Sequence, residues 1–231
     1  GVEVFDPSPL ELDAELGAAI LNKLNAIEGE ARYHKLHARY HAMLNAYLER
    51  FGYYDVFLVD LDGDVVYSVF KEMDYATNLK TGPWRDSGLG KVFRSALESS
   101  DPKSTFFDDF APYTPSYEAP ASFIAVPVFD GAKKVGVLAM QMPVGRINAV
   151  MQASEGMGET GETYLVGTDQ LMRSQSRLID KPTMLAQKID TEAARNALAG
   201  KSGSGIYQDY RGVDVLGAYE PMNVYGTKWA L

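Results

Sequence analysis

The sequence contains no cysteine, only three histidines and two tryptophans, and no apolar run near the roughly 20 residues of a membrane-spanning helix. The missing cysteine excludes disulfides, thiol nucleophiles and cysteine-ligated metals, and it suits an extracytoplasmic domain. Basic residues are scarce too, with 22 Lys and Arg against 31 Asp and Glu and a net charge of −9. Since nucleic acids are bound by basic faces, we expect no nucleic-acid partner.

The ends of the sequence carry no targeting signal. No signal peptide precedes the first predicted helix. The last residues, Lys228–Leu231, resemble an unfinished strand. We therefore expect an excised soluble domain, and 231 residues suffice for one large domain or two small ones.

The stretch from residue 53 to residue 70 contains two apolar runs rich in β-branched and aromatic residues. The runs Tyr53–Val59 and Val65–Phe70 flank the segment Asp60–Asp64. An Asp-Gly pair between two such runs predicts a β-hairpin. Because the runs are too short for helices and too apolar for edge strands, we place them in the middle of an antiparallel sheet.

The same stretch, VFLVDLDGDVV, is similar to the opening motif of the haloacid-dehalogenase-like phosphatases. In that family the first aspartate attacks phosphorus and the second acts as acid and base beside Mg²⁺, roles that would fall to Asp60 and Asp62. The family has Thr where this sequence has Asp64, and no downstream acidic metal-binding pair is found. A calcium loop fits worse, because Lys71 stands where a bidentate Glu is needed. We expect an exposed turn without phosphatase activity and keep the phosphatase as the alternative.

The N-terminal 52 residues have a helical pattern. Ser8-Pro9-Leu10-Glu11 forms a capping box that predicts a helix from Pro9, and an apolar stripe continues to Phe51, with Gly52 as the C-terminal cap. The stripe from residue 33 to residue 51 should lie on the sheet that follows. The three histidines are His34, His37 and His41. They could hold Zn²⁺ or Ni²⁺, but one straight helix converges poorly on an ion, so solvated or inter-subunit histidines are favoured.

The chain after the hairpin continues with a helix capped by Ser87. Three further predicted strands are Thr105–Phe110, Ala121–Phe129 and Val135–Met142, followed by a short amphipathic helix at Val144–Gln152. A long helix, a hairpin, a helix and three strands in this order predict a five-stranded antiparallel sheet with helices on its faces, which is a PAS-like module.

Residues 156–161, GMGETG, match the dinucleotide-binding fingerprint in spacing only, because they precede a strand, so no cofactor is expected. A weaker copy of the first module then follows. It consists of strands Thr163–Val166 and Leu171–Ser176, a helix Thr191–Ala199, and strands Ile206–Tyr210, Val213–Pro221 and Lys228–Leu231. The predicted fold class is therefore α+β, with a long N-terminal helix and two tandem modules, residues 53–152 and 153–231.

The chain resembles the double Cache family of tandem PAS-like sensor domains. The shared features are the leading helix, FGYYDVFLVD, YSVFKEMDYATNL, DSGLGKVFRSA, FAPYTPSYEAPASFIAVPVF, GVLAMQMP, GETGETYLVG and DYRGVDVLGAYEP. The resemblance implies the extracytoplasmic, periplasmic sensor domain of a bacterial membrane receptor, such as a methyl-accepting chemotaxis protein, a sensor kinase or a cyclase. Such a domain is held between two transmembrane helices, binds its ligand in the membrane-distal module, here residues 53–152, and performs no catalysis.

The best-defined subfamily binds amino acids through a Tyr/Arg/Trp cluster, with aspartates that hold the ammonium group. Trp84 and Arg85 lie in the matching region in a different order, and Gln141 stands where the subfamily has a key aspartate. The candidate ligand-binding residues are Tyr67, Phe70, Trp84, Arg85, Asp86, Asp109, Tyr113, Tyr117 and Ser122.

Arg85 should meet either Asp86 or an anionic group of a small organic ligand. The resemblance also implies a homodimer in the full-length receptor, for which the Pro9–Phe51 helix is the natural contact. No metal is expected. A dimerisation domain with an empty pocket is the third reading.

Overall fold

The computed structural model describes residues 32–231, and the predicted helix start at Pro9 lies outside them. The chain divides after Phe51 into two compact units. The described residues form a mixed α and β structure with four α-helices and antiparallel strands. None of these helices has both the length and the apolar character needed to span a membrane.

Helix α1, Arg32–Phe51, buries two of its three histidines together with Leu48 and exposes most of its large apolar residues. His37 and His41 are 4% and 0% exposed, and their rings stack 4.4 Å apart. The expectation of solvated histidines is therefore wrong for these two. Imidazole rings can stack as flat aromatic surfaces, so hydropathy alone does not predict which residues of this helix are buried. Among the described residues, no group of three His, Cys, Asp or Glu side chains is placed to hold a metal ion.

The exposed side of α1 carries six large apolar residues, each 38–60% exposed. They are Tyr33, Leu36, Tyr40, Met43, Tyr47 and Phe51. Leu48, which belongs to the same apolar pattern, is 7% exposed, so the predicted apolar stripe is only partly buried. Gly52 follows the helix with φ of 71°, as predicted for a C-terminal cap.

The first half of residues 52–231 is organised around one antiparallel sheet. Its strands are β1 (Asp55–Val59), β2 (Val65–Ser68), β3 (Phe106–Tyr113), β4 (Ala119–Asp130) and β5 (Lys133–Gln141), in the order β2-β1-β5-β4-β3. The predicted hairpin and the three later strands are confirmed, and β2 ends two residues earlier than predicted.

The turn between β1 and β2 is built around one carboxylate. Asp60 Oδ1 accepts hydrogen bonds from the backbone amides of Asp62, Gly63 and Asp64 at 3.0, 2.9 and 2.9 Å. Gly63 has φ of 98°, a conformation that is strained for residues with a Cβ. The predicted turn is confirmed, and one oxygen of the Asp60 carboxylate is engaged by the backbone of the turn.

Helix α2, Gly88–Glu98, covers one face of this sheet. The Ser87 hydroxyl accepts from the Gly90 amide at 3.3 Å, which confirms the predicted cap. Val92 and Phe93 pack in one core with Phe57 and Phe123. Helix α3, Val144–Met151, follows the sheet where the sequence predicts a helix.

The second half contains helix α4 (Glu192–Leu198) and two hairpins. These pair β6 (Gly203–Gln208) with β7 (Asp214–Tyr219), and β8 (Pro221–Val224) with β9 (Thr227–Ala230). The predicted helix and the three later strands of this half are confirmed, with the predicted Val213–Pro221 strand divided between β7 and β8.

The predicted strands Thr163–Val166 and Leu171–Ser176 are present only as isolated bridges, from Val166 to Met172 and to Ala230. The ladder is short because the Leu165 amide donates to the Ser174 hydroxyl, at 3.1 Å, instead of to a backbone carbonyl. The pairing still runs from Met172 through Val166 to β9 and β8. This order parallels the β2-β1-β5-β4 part of the first sheet.

A separate apolar cluster joins the two halves. Phe110 from β3 packs with Leu165, Met184 and Trp229. The Trp229 ring lies 6.0 Å from that of Phe110 and 6.2 Å from that of Phe107. Strand β3 is therefore in contact with both halves.

Candidate functional site

Three carboxylates lie together beside the polar end of the first sheet. Asp55 begins β1, and Glu72 and Asp74 follow β2; Asp55 and Asp74 are both 0% exposed. We call these three residues the acidic cluster. Asp55 Oδ1 accepts from the amides of Val56 and Val69 at 2.6 and 2.9 Å, whereas Asp55 Oδ2 and Asp74 Oδ1 are buried with no hydrogen-bond partner among the described residues. Two buried carboxylate oxygens are thus left unsatisfied.

Burial raises the pKa of all three carboxyl groups. The pKa of Asp55 rises to about 7, because desolvation outweighs the two amide hydrogen bonds and because Asp74 and Glu72 add negative charge nearby. Burial also raises the pKa of Glu72 against the hydrogen bonds from Tyr54 and Ser116, and that of Asp74 against the one from Tyr113. Near neutral pH Asp55 is therefore poised between its neutral and charged forms.

Hydroxyl groups surround the acids. Tyr54 donates to Glu72 Oε1 at 2.9 Å, Ser116 to Glu72 Oε2 at 3.0 Å, and Tyr113 to Asp74 Oδ2 at 2.7 Å. Burial, followed by the charge of Asp74, raises the pKa of the Tyr113 hydroxyl far above its usual range, so it remains a donor.

The register of the sheet places the polar groups side by side. Gln141 lies directly opposite Asp55 on one neighbour and opposite Phe123 on the other. Side chains alternate between the two faces of a strand, so Asp55 lies on the same face as Phe57, and Gln141 lies on the same face as Ala139. Phe57 and Ala139 belong to the core that α2 covers. The cluster thus forms the polar end of that core.

Lys71 is the basic residue beside the acids. It has φ of 55°, and its Nζ donates to the Ser68 carbonyl at 3.0 Å and lies 5.0 Å from the centre of the Tyr67 ring. Burial lowers the pKa of Lys71, and the charge of Asp55 opposes that effect. Its ammonium makes no ion pair within 4.0 Å with any described carboxylate, so the acids keep uncompensated charge when ionised.

Three predicted site residues lie at this cluster. Tyr113 is 3% exposed and donates to Asp74. Tyr67, 6% exposed, is close enough to Asp55 for that charge to add to the effect of burial in raising the Tyr67 pKa. Trp84 is half-buried, 6.5 Å from the Tyr113 ring, and donates from Nε1 to the Met73 carbonyl at 3.2 Å.

The structure does not bring four other predicted residues into the cluster. Arg85 and Asp86 pair with each other at 3.2 Å, with side chains 56% and 82% exposed, so Arg85 meets the first of its two expected partners. An exposed pair of this kind contributes little. Phe70 and Tyr117 are 47% and 80% exposed.

Asp109 and Ser122 lie elsewhere. Asp109 is bound by Arg173 of the second half, with Nε at 3.1 Å from each of its carboxylate oxygens. Ser122 neighbours the core residue Phe123 on β4 and therefore points to the opposite face of the sheet. Its hydroxyl is buried with no hydrogen-bond partner among the described residues.

Sequence reasoning missed the acidic cluster itself, together with Tyr54, Ser116 and Gln141 as its partners. One signal was available: Asp55 interrupts the apolar run of a predicted central strand, where an ionisable residue is rarely buried without a reason. No pattern in the sequence shows that Glu72 and Asp74 fold back onto the same strand end.

A second candidate is an open cleft of about 1360 Å³ in the second half. Tyr164, Tyr207, Tyr219 and Glu162 are among the side chains that line it. Glu162, one of the four acidic residues that line it, is already satisfied, because it accepts from the Tyr210 and Ser176 hydroxyls at 2.5 and 2.6 Å. The larger volume lies here, but the incomplete polar chemistry lies in the acidic cluster, and the chemistry is the stronger sign of a specific site.

Known structures share this fold at low sequence identity. The ligand-binding domain of the Pseudomonas aeruginosa amino acid chemoreceptor PctC, in complex with GABA, is 15% identical with a TM-score of 0.55; the match covers 96% of this chain and 88% of that one. The periplasmic sensory domain of the Campylobacter jejuni chemoreceptor Tlp1 is 14% identical with a TM-score of 0.56, covering 94% and 85%.

The ligand-binding domain of Campylobacter jejuni Tlp3, in complex with 4-methylisoleucine, is 14% identical with a TM-score of 0.53, covering 93% and 79%. No curated protein sequence matches the chain. The model of one family, described as Cache domain, matches residues 13–231. The match spans nearly the whole chain and confirms the resemblance on which the sequence analysis rests: this protein belongs to the Cache domain family, in its double Cache form.

Proposed function

We propose that this chain is the sensor domain of a transmembrane receptor and that it binds a small organic molecule through an ammonium group held by the acidic cluster. The observation that carries the proposal is the pair of buried, unsatisfied oxygens, Asp55 Oδ2 and Asp74 Oδ1. An ionised carboxylate buried without a partner costs several kcal/mol, on the order of the desolvation penalty of one ion. A ligand ammonium supplies both the positive charge and the hydrogen-bond donors that these oxygens lack.

The tyrosines complete the chemistry of such a site. Tyr67 and Tyr113 provide aromatic surface beside the acids, and Trp84 continues that surface. Cations bind favourably over aromatic rings, and Lys71 already places its own ammonium 5.0 Å from the Tyr67 ring. Of the nine predicted residues, these three are the ones we retain as ligand contacts.

Among the described residues, no arginine is placed to bind the part of the ligand beyond its ammonium group. Arg85 is exposed and paired with Asp86, so it is not the anchor of an anionic group. Lys71 is the basic side chain that a ligand carboxylate would meet. GABA and 4-methylisoleucine, the ligands of PctC and Tlp3, each carry an amino group, which supports the choice of amines as first probes.

We assign residues 53–152 to the membrane-distal, ligand-binding module, residues 153–231 to the membrane-proximal module, and residues 1–52 to the helical region that precedes them. The parallel order of pairing in the two halves supports this division. The periplasmic location of the Tlp1 domain supports an extracytoplasmic location here, between membrane helices of the full-length receptor.

The exposed stripe of α1 supports a homodimer. Tyr33, Leu36, Tyr40, Met43 and Tyr47 follow a 3-4-3-4 spacing, which is the seam of a two-stranded coiled coil. Two copies joined along this seam would bury the apolar side chains that one copy leaves in water.

The experiment that tests the proposed function compares amines with matched compounds that lack the amino group. Differential scanning fluorimetry at pH 7.5 would compare GABA with butyrate, L-valine with 3-methylbutyrate, and putrescine with 1,4-butanediol. We expect at least one amine to raise the Tm while its matched compound does not, since a ligand that binds only the folded state stabilises it. Stabilisation by the amine-free compounds alone would overturn the proposal.

A further inference from the structure

We propose that Arg173 and Asp109 form the link through which a change in the acidic cluster repositions the second half of the domain. The inference deepens the proposed function and rests on it for its physiological input. Arg173 acts here as a positioning residue, through Asp109 and strand β3, and has no contact with the ligand site.

The Arg173 side chain is fixed in one orientation. It is 3% exposed, and its Nη2 lies 3.0 Å from Asp109 Oδ2 and 2.9 Å from Asp169 Oδ2. Its Nε contacts both oxygens of Asp109, and its Nη1 donates to the Leu171 carbonyl at 3.0 Å. A guanidinium that binds a carboxylate through two nitrogens fixes the direction of the contact. If Asp109 moves, Arg173 therefore has to move with it, or the contact breaks.

The surroundings make a broken contact unfavourable. Phe110, next to Asp109, belongs to the apolar cluster with Leu165 and Trp229 that joins the two halves. A Cβ at Gly167 would lie 2.2 Å from Arg173 Nη2, so the glycine leaves the space that the guanidinium fills. Separation would remove three of the hydrogen bonds of this buried guanidinium and leave Asp169 as its one remaining ion-pair partner, which favours movement of the two halves together.

Strand β3 connects this pair to the acidic cluster. It ends at Tyr113, whose hydroxyl donates to Asp74, and Asp109 lies four residues before, roughly 13 Å along a strand at 3.3 Å per residue. The pairing of β3 with β4 shifts register between Asp108 and Ala111. Asp109 and Phe110 therefore stand outside the regular β3–β4 pairs, where a strand bends and its ladder is locally interrupted. A change at Asp74 therefore has a continuous path through Tyr113 to Asp109.

The test uses the charge of the acidic cluster as an input that needs no known ligand. The titrating groups at the cluster are Asp55, Glu72 and Asp74, faced by Lys71 and by the hydroxyls of Tyr54, Tyr67 and Tyr113. The charged groups that face Arg173 are Asp109 and Asp169. Although partial burial raises it, the pKa of Asp169 is lowered overall by the hydrogen bond from Arg173, so Asp169 stays ionised at neutral pH.

The measurement is the ¹H–¹⁵N NMR resonance of the Arg173 Nε–H group between pH 5.5 and 8.5. We expect it to shift in one transition centred where Asp55 ionises, at about pH 7, and to stop shifting in Asp55→Asn. The control reporter is Arg177 Nε–H, which donates to the Gly161 carbonyl at 2.6 Å within the second half and should not follow this transition.

A second variant distinguishes coupling through strand β3 from a direct long-range effect of the Asp55 charge on the Arg173 resonance. In Tyr113→Phe, the Asp55 carboxyl should still titrate, seen in its ¹³C resonance, while the Arg173 response falls at least severalfold. A constant Arg173 resonance in the wild type while Asp55 titrates, or a full response in Tyr113→Phe, would overturn the inference. Failure of every amine to bind would instead count against the proposed function and leave this result standing.

Discussion

The two carboxylate oxygens of Asp55 have different surroundings. One of its oxygens closes backbone hydrogen bonds to Val56 and Val69, and the other is buried and unsatisfied. The first is a structural role, and for the second we propose a role in recognition. Asparagine preserves the first, since its amide oxygen can accept from the same two amides, and removes the charge that the second requires.

The pH dependence of stability follows from this residue. The pKa of Asp55 rises from 3.8 to about 7 on folding, so between these pH values the folded state holds a proton that the unfolded state has released. Stability therefore falls as the pH rises through this window, by on the order of 4 kcal/mol at 1.36 kcal/mol per pKa unit. Urea unfolding from pH 4 to 8 should show this decline in the wild type and a much smaller one in Asp55→Asn.

The exposed residue Asp86 provides the matched control. Asp86→Asn removes a carboxylate that is 82% exposed in a neighbouring loop, and the wild-type decline should persist. Equal pH profiles for the wild type and Asp55→Asn would contradict the assignment of Asp55.

Tyr113 is predicted to stabilise the cluster through its hydroxyl. Tyr113→Phe removes the 2.7 Å side-chain hydrogen bond to Asp74, a buried carboxyl whose other oxygen is already without a partner among the described residues. We expect a loss of about 1–3 kcal/mol in the free energy of unfolding, measured by urea denaturation at pH 7. Tyr117→Phe, at a side chain 80% exposed, should stay within about 0.5 kcal/mol of the wild type. Equal effects of the two changes would argue against the role of Tyr113.

Sequence patterns identify some residues of the candidate site and miss others. Tyr113 and Trp84 stand out as aromatic residues in loops. Asp74 does not, because its partner Tyr113 is 39 positions away in the chain. Arg85 attracted attention as a lone basic residue among aromatics, but the sequence cannot show that the loop turns its guanidinium to solvent.

The β1–β2 turn is an element whose stability depends on Asp60. Its Oδ1 accepts from three backbone amides, so Asp60→Ala removes three hydrogen bonds at once. We expect a loss of about 1–3 kcal/mol by thermal or urea unfolding, because the freed amides are part of a tight turn. Asp62→Ala, at an exposed position of the same turn, should be nearly neutral.

A different substitution at the same position, Asp60→Asn, tests the alternative reading. Mg²⁺-dependent hydrolysis of p-nitrophenyl phosphate by the wild type, abolished in Asp60→Asn, would show a phosphatase. We expect no such activity, because the carboxylate that would attack phosphorus is bound to its own turn.

Helix α1 is predicted to mediate self-association. Met43, 60% exposed in the apolar stripe, is the test position; Met43→Lys places a charge in the proposed seam. Sedimentation equilibrium should show weaker association in Met43→Lys than in the wild type. Ala42→Lys, exposed on another side of the helix, should associate as the wild type does. Unchanged association in Met43→Lys would place the dimer contact elsewhere.

The elements of the first half follow closely from sequence, because strong local signals coincide there. The Asp-Gly turn, the Ser87 cap and alternating apolar strands each predict the element that is found. Helix α1 was predicted as a helix, but the burial of His37 and His41 was not, since hydropathy assigns stacked histidines to solvent. The bridges at Val166 were predicted as full strands, since a side-chain acceptor such as Ser174 leaves no periodic signal.

At the scale of the whole molecule, strand β3 lies between two kinds of interaction. Its end meets the acidic cluster through Tyr113, and its middle meets the second half through Asp109 and Phe110. A ligand that changes the cluster therefore acts on a strand that both halves share. This arrangement is what a sensor domain requires, since binding at one place has to change geometry at another.

The measurement that tests the account most directly is calorimetric titration of GABA, L-valine and putrescine into three proteins: the wild type, Asp55→Asn and Glu162→Gln. The last variant alters an acid of the second cleft and is the matched control. We expect Asp55→Asn to lose about 2–5 kcal/mol of binding free energy for the amine that binds the wild type, and Glu162→Gln to retain its affinity. Loss of binding in Glu162→Gln with full affinity in Asp55→Asn would contradict the account and place the ligand in the second half.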